Sequence, residues 1–179
     1  MSDPPALETA LLVLVPRADP LVARYRERHD PAARVGVPAH VTIAYPFAPL
    51  DLITAEDMGT LRRIAAGVGA FDLTLSTLGW FGTDLLFLRP DDPGPLDRLV
   101  SEVGKAFPAH PIYGGVHEQV VAHVTVAQGA DPTVLAAVEE GLGALLPIRQ
   151  RVDVVELWQG PPPASGHGRW RSIHRFPLG

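Results

Sequence analysis

Two triplets, His40-Val41-Thr42 and His123-Val124-Thr125, set an imidazole and a hydroxyl at the same spacing twice in one chain. In a β-strand residues i and i+2 leave the same face, so each triplet aims its histidine and threonine together and turns its valine the opposite way. Ile43 and Val126 continue the valine side, which predicts one face buried in a core and the other open to a ligand. Seven histidines and nine threonines in 179 residues would give about 0.35 His-x-Thr triplets by composition alone, a count in the manner of periodicity matching. Two occur, and the pentapeptides 40–44 and 123–127 differ only in Ile43 against Val126.

Two histidines facing each other across a cleft can hold different protonation states near neutral pH, one as general base and one as general acid. That pair suits in-line displacement at phosphorus. A neutral imidazole takes a proton from the attacking water, an imidazolium on the far side protonates the departing oxygen, and two threonine hydroxyls donate to the non-bridging oxygens.

The elements that must position these groups follow from patterning. A short apolar run at 9–15, ended by Pro16, reads as a strand. Residues 20–29 read as a helix with Asp19 at its N-cap, and His40 to Phe47 as a strand ended at Pro46. Thr54 to Asp57 resembles a capping box for a helix carrying Met58, Leu61, Ile64, Ala65 and Val68, closed by Gly69. Residues 71–78 alternate with period two and read as a half-buried strand. The plan then repeats: strand 85–88, helix 96–107, strand 122–127, helix 132–146, strand 152–158. Two half-repeats, approximately 9–80 and 84–158, with a last strand at 169–176, imply an internal duplication within one domain spanning 1–179.

With 46% hydrophobic and 20% charged residues the chain can bury a core, and with no cysteine it excludes disulfides, thiolate zinc sites and thiol nucleophiles. The N-terminus lacks a basic signal region, and the apolar run at 11–15 is far too short to span a bilayer, so the expectation is a soluble, cytoplasmic protein that binds no membrane. A net charge of −5 offers no general attraction for a long phosphate backbone. A small nucleotide or an RNA end suits it better, handled by a monomer. Residues 149–179 run against this average, with five arginines against two acids, and raise the expectation of a local basic face.

The doubled motif resembles the signature of the 2H phosphoesterase superfamily, close to bacterial proteins of the 2′,5′-RNA ligase and 2′,3′-cyclic nucleotide phosphodiesterase type. It is met at His40-Val41-Thr42-Ile43 and His123-Val124-Thr125-Val126, with Gly36-Val37-Pro38-Ala39 before and Tyr45-Pro46-Phe47 after the first copy. The resemblance implies an α+β fold, bilobal and pseudo-two-fold, in which two mainly antiparallel sheets line a central cleft with helices outside. It also implies catalysis by His40 and His123 without metal or cofactor, phosphate held by Thr42 and Thr125, and hydrolysis of 2′,3′-cyclic phosphates to 2′-phosphates. By the same resemblance His123 is the base and His40 the acid.

Beyond the motifs, Tyr113, His117, Arg149 and Arg151 are candidate substrate contacts, because aromatic faces stack bases and guanidinium forks grip phosphate. Tyr45, Phe47, Trp80 and Phe81 are further aromatic candidates, although Tyr45 should face away from His40 unless its strand bulges. Other readings stay open: RNA 2′,5′-ligation, which reverses the opening of a cyclic phosphate, or a nucleotide- or RNA-end-binding module without turnover. A zinc hydrolase fits less well, since no His-Glu-x-x-His accompanies the pair, and the short run Gly166 to Trp170 is no phosphate-cradling P-loop.

Overall fold

A computed structural model describes residues 6–115 and 120–179, so His117 lies outside the described residues. Eight strands and five α-helices alternate along the described chain: β1 (Glu8–Leu14), α1 (Asp19–His29), α2 (Pro31–Arg34), β2 (His40–Ala44), α3 (Ala55–Val68), β3 (Phe71–Phe81), β4 (Leu85–Pro90), α4 (Gly94–Ala106), β5 (Val124–Gln128), α5 (Pro132–Gly143), β6 (Ile148–Val152), β7 (Val154–Gly160) and β8 (Arg171–Pro177). Among the described residues no helix is long and apolar enough to cross a membrane.

Helix starts follow local chemistry. The Thr54 hydroxyl accepts from the Asp57 amide while the Asp57 carboxylate reaches back to the Thr54 amide, the reciprocal capping box expected for α3, and Gly69 ends that helix at φ 77°. Asp131 caps α5 ahead of Pro132. Asp19 does not cap α1 as the sequence suggested: the cap is Ala18, and the Asp19 carboxylate instead accepts from the backbone amide of Ala39, beside the first histidine.

The strands form one curled sheet in the order β6-β3-β4-β5-β2-β1-β7-β8, every neighbouring pair antiparallel. The two expected sheets are therefore fused. Their seam is thin, a single ladder pair, Val41 opposite Val124, between β2 and β5. Exchanging β1 with β4, β2 with β5, β3 with β7 and β6 with β8 reverses the order end for end, so the strand positions are related by a pseudo-two-fold. The two lobes are nevertheless not the two stretches of sequence. β3 crosses over to pair with β4, and β7 crosses back to pair with β1, so each half hands a strand to the other.

One feature was missed by patterning: the strand expected at 152–158 is β7, and a separate strand, β6, precedes it, the two parting at Asp153 to opposite regions of the sheet. In β6 only Ile148 and Val152 are buried, and Arg149 and Arg151 break up its apolar signal. Because β6 and β8 are the two outermost strands, the arginine-rich C-terminal stretch is split between opposite edges and forms no single basic face.

Helices α1, α3, α4 and α5 cover the face of the sheet onto which Val41, Ile43, Val124 and Val126 project, all four with no exposed surface. Each such side chain gains about 1.5–3 kcal/mol by burial, which fixes the phase of β2 and β5 and turns their polar residues the other way. A smaller cluster of Ala10, Leu12, Val35, Val37, Trp158 and Trp170 lies apart from this main core.

Candidate active site

With Val41 opposite Val124 in an antiparallel pair, continuation of the register sets His40 across from Thr125 and Thr42 across from His123. The four groups occupy the corners of one patch, and all four line a cleft of about 780 Å³. Both histidines are half-buried.

Each imidazole is held in the same way. The Nδ1–H of His40 donates to the carbonyl of Pro38 at 2.8 Å, and that of His123 to the carbonyl of Val121 at 2.7 Å. A carbonyl only accepts, so Nδ1 carries the proton and Nε2 is left to accept or, once protonated, to donate.

Behind these matched bonds the surroundings diverge. His123 is flanked edge-on by Phe81 and Phe87, with ring centroids at 5.1 and 5.4 Å. Those two rings stack at 4.3 Å, and Gly79 makes the room, since a Cβ there would come within 2.6 Å of Phe87. His40 instead lies in the field of a buried ion pair, Arg26 Nε to Asp30 Oδ2 at 2.8 Å, on a chain segment tied down by the bond from Ala39 to Asp19. Burial lowers the pKa of both. For His40 the Arg26 guanidinium adds to burial and takes it down to about 4, with the Pro38 carbonyl and Asp30 pulling back. For His123 burial acts against the Val121 carbonyl and Asp30. Both shifts favour the neutral ring in the free site.

Paired bulges shape the rest of the cleft. Thr42 pairs with Leu12 and Ala44 with Leu11, so β2 carries one extra residue after its threonine. On β5, Thr125 pairs with Phe87 and Ala127 with Leu86, with the same consequence. Each bulge reverses the alternation, buries two residues in succession, and brings the side chain five positions after the histidine back to the cleft: Tyr45 in one strand, Gln128 in the other.

Tyr45 thus lines the cleft, as do Phe81 and Tyr113. The Tyr113 hydroxyl is hydrogen-bonded with Thr42, and its amide donates to the Tyr45 carbonyl at 2.8 Å. Its φ of 51° is a conformation that ordinary side chains adopt at a cost. Phe47 is core, packed edge-on against Phe107, and Trp80 donates to Glu139 away from the cleft. Arg149 and Arg151 are exposed on β6 at the sheet edge, outside the cleft lining, and Arg151 faces Asp72. Glu8, Asp30, Gln128 and Trp170 also line the cleft. Of these only Gln128 had a signal in sequence, its offset from His123 matching that of Tyr45 from His40. Among the described residues no group of three or more His, Asp or Glu is arranged to hold a metal ion.

Known proteins resemble this chain in sequence and in fold. A protein of Bacillus pumilus (strain SAFR-032) named "Putative phosphoesterase" is 29% identical over 106 residues, 58% of this chain and 59% of that protein, so the match spans about three-fifths of the relative's length. Escherichia coli LigT in its apo form superposes with a TM-score of 0.59 at 21% identity over 99% of both chains. LigT complexed with 3′-AMP gives 0.59 at 20% identity over 98% of this chain and 99% of that one. A protein of Thermus thermophilus gives 0.58 at 16% identity over 96% and 97%. At such identities these structures establish the fold. The family model for the 2′-5′ RNA ligase superfamily matches residues 14–161, taking in both histidine–threonine strands, and the chain belongs to that superfamily of 2H phosphoesterases.

Proposed function

We propose that the protein is a metal-independent phosphoesterase that hydrolyses 2′,3′-cyclic phosphates of nucleotides or RNA ends to 2′-phosphates, with His40 and His123 as the acid–base pair. The observation that carries this reading is the matched anchoring of the two imidazoles, Nδ1 on a carbonyl and Nε2 left for chemistry, beside two threonines in one cleft.

A cyclic phosphodiester brings one negative charge, which favours protonation of one of the two neutral rings. The other Nε2 takes a proton from water as the water oxygen bonds to phosphorus. The P–O3′ bond breaks, and the imidazolium gives its proton to O3′, leaving a 2′-phosphate and both rings in exchanged states. Thr42 and Thr125 donate to the non-bridging oxygens, with Thr42 oriented by Tyr113. Arg26 opposes protonation of His40 and has no counterpart among the groups lowering His123. That bias favours His40 as base and His123 as acid, the reverse of the order that the family resemblance implies.

Hydrolysis is favoured over ligation of two RNA strands because no lysine or arginine lines the cleft among the described residues, whereas gripping strands takes several phosphate contacts. LigT has been solved with 3′-AMP, and a nucleotide of that size suits this cleft. The test is incubation with each nucleoside 2′,3′-cyclic phosphate in excess chelator, with the products separated as 2′- and 3′-phosphates. Chelator-resistant formation of the 2′-phosphate is expected. Tight binding without turnover would make the site a binding module, and loss of activity with chelator would make it a metal enzyme.

A further inference from the structure

We infer that Glu8, Tyr45 and Trp170 form a base subsite that selects a ring with two adjacent N–H donors, a guanine-type edge. The inference rests on the proposed phosphoesterase reading and deepens it.

The cleft does not end at the histidines and threonines. It runs along β1 past Leu12 and Ala10 to Glu8, with Tyr45 on one side and Pro162, Pro163 and Trp170 beyond. Thr42 pairs with Leu12, and Glu8 stands four residues further along the same strand, roughly 13 Å at the usual rise of a strand. That separation matches the reach from a phosphate fused to a ribose across to the far edge of its base, plus a hydrogen bond.

The wall is built in advance. The β2 bulge turns Tyr45 into the cleft, and its hydroxyl donates to Glu8 Oε2. Its ring stands edge-on to Trp170 with centroids 6.0 Å apart. Trp170 is buried and donates from Nε1 to the Pro161 carbonyl at 2.7 Å. It lies so close over Gly160 that a Cβ there would come within 2.3 Å of the indole. Glu8 Oε1 has no hydrogen-bond partner among the described residues, so the carboxylate can still accept.

Chemistry then limits the occupant. Flat apolar walls suit a heteroaromatic ring. A carboxylate at their end excludes an anion from that place and accepts N–H donors, and it pairs best with two parallel N–H groups, as in the paired hydrogen bonds of carboxylates with guanidinium groups. Guanine presents that pair. Adenine and cytosine present one donor beside an acceptor, which would meet the carboxylate lone pairs, and uracil presents one donor between two carbonyls.

The experiment compares kcat/KM for guanosine and uridine 2′,3′-cyclic phosphates in wild type, Glu8→Gln and Tyr45→Phe. The expected guanosine-to-uridine ratio is about tenfold or more in wild type, through KM, the loss expected when a charged hydrogen bond goes unmade. It should fall close to one in Glu8→Gln and to an intermediate value in Tyr45→Phe. A ratio taken within one variant is insensitive to partial misfolding. Guanosine 2′-phosphate and uridine 2′-phosphate are also bound by calorimetry to His40→Ala, which separates the subsite from the chemistry. A guanosine preference in binding, lost on adding Glu8→Gln, sustains the subsite even if no cyclic nucleotide is turned over. No preference in wild type, or a preference indifferent to Glu8→Gln, overturns it.

Discussion

His40 and His123 share a motif, a strand face and a carbonyl anchor, yet one lies in the field of a buried arginine–aspartate pair and the other against the edges of two stacked phenylalanines. The motif accordingly specifies where two imidazoles stand and which nitrogen each offers. Residues on other elements decide how readily each takes a proton: Arg26 and Asp30 at the end of α1, Phe81 and Phe87 on β3 and β4. Matched strands thus carry unmatched surroundings.

The comparison is broken most forcefully by removing one partner on each side. Arg26→Ala leaves Asp30 charged and buried, which costs about 3–5 kcal/mol, and Phe87→Ala empties a fully buried ring site at a similar about 3–5 kcal/mol. Denaturant melts should report both losses. The histidines should respond differently: Arg26→Ala raises the pKa of His40 more than that of His123, and Phe87→Ala, by admitting water, does the reverse. Equal movement of both rings in each variant would make the surroundings interchangeable.

A smaller asymmetry is expected at the hydroxyls. Thr42→Val and Thr125→Val should each lower kcat, by about 10²-fold where the donor is well positioned. The loss should be greater at Thr42, whose hydroxyl Tyr113 already orients. Tyr113→Phe should then lower kcat by less than Thr42→Val and leave the effect of Thr125→Val unchanged when the two are combined. Steady-state rates on one cyclic nucleotide suffice to read all of these.

The smallest effect is on stability against pH. Both histidines have lowered pKa values when folded, His40 at about 4, so between that value and the ordinary 6.5 the unfolded chain binds more protons than the folded one. Stability from keeping these rings neutral is fully present above pH 6.5 and is lost as pH falls toward about 4. Urea midpoints at pH 7 and pH 5 should differ in that sense, and His40→Gln should narrow the gap more than His123→Gln.

Much of this was legible in the chain, for identifiable reasons. The strand phase of His40 and His123 is written in the alternation of valine and isoleucine with polar residues, and the Thr54–Asp57 box is a purely local device. The direction of Tyr45 was not legible, because a bulge is set by pairing with β1, and pairing is a property of two distant segments. Glu8 and Trp170 reach the cleft only because β7 crosses to pair with β1 and Trp170 settles over Gly160. Arg149 and Arg151 had the right chemistry for phosphate, but β6 carries them to the sheet edge.

What decides whether the two imidazoles work as a pair is the rate of 2′,3′-cyclic nucleotide hydrolysis in excess chelator by wild type, His40→Ala, His123→Ala and the double variant. Each single substitution should lower kcat by about 10²–10⁴-fold, the double variant should lose little more than the worse single one, as expected of groups acting as a unit, and each single variant should lose one limb of the pH–rate profile. Hydrolysis by either single variant at the wild-type rate would contradict the pairing.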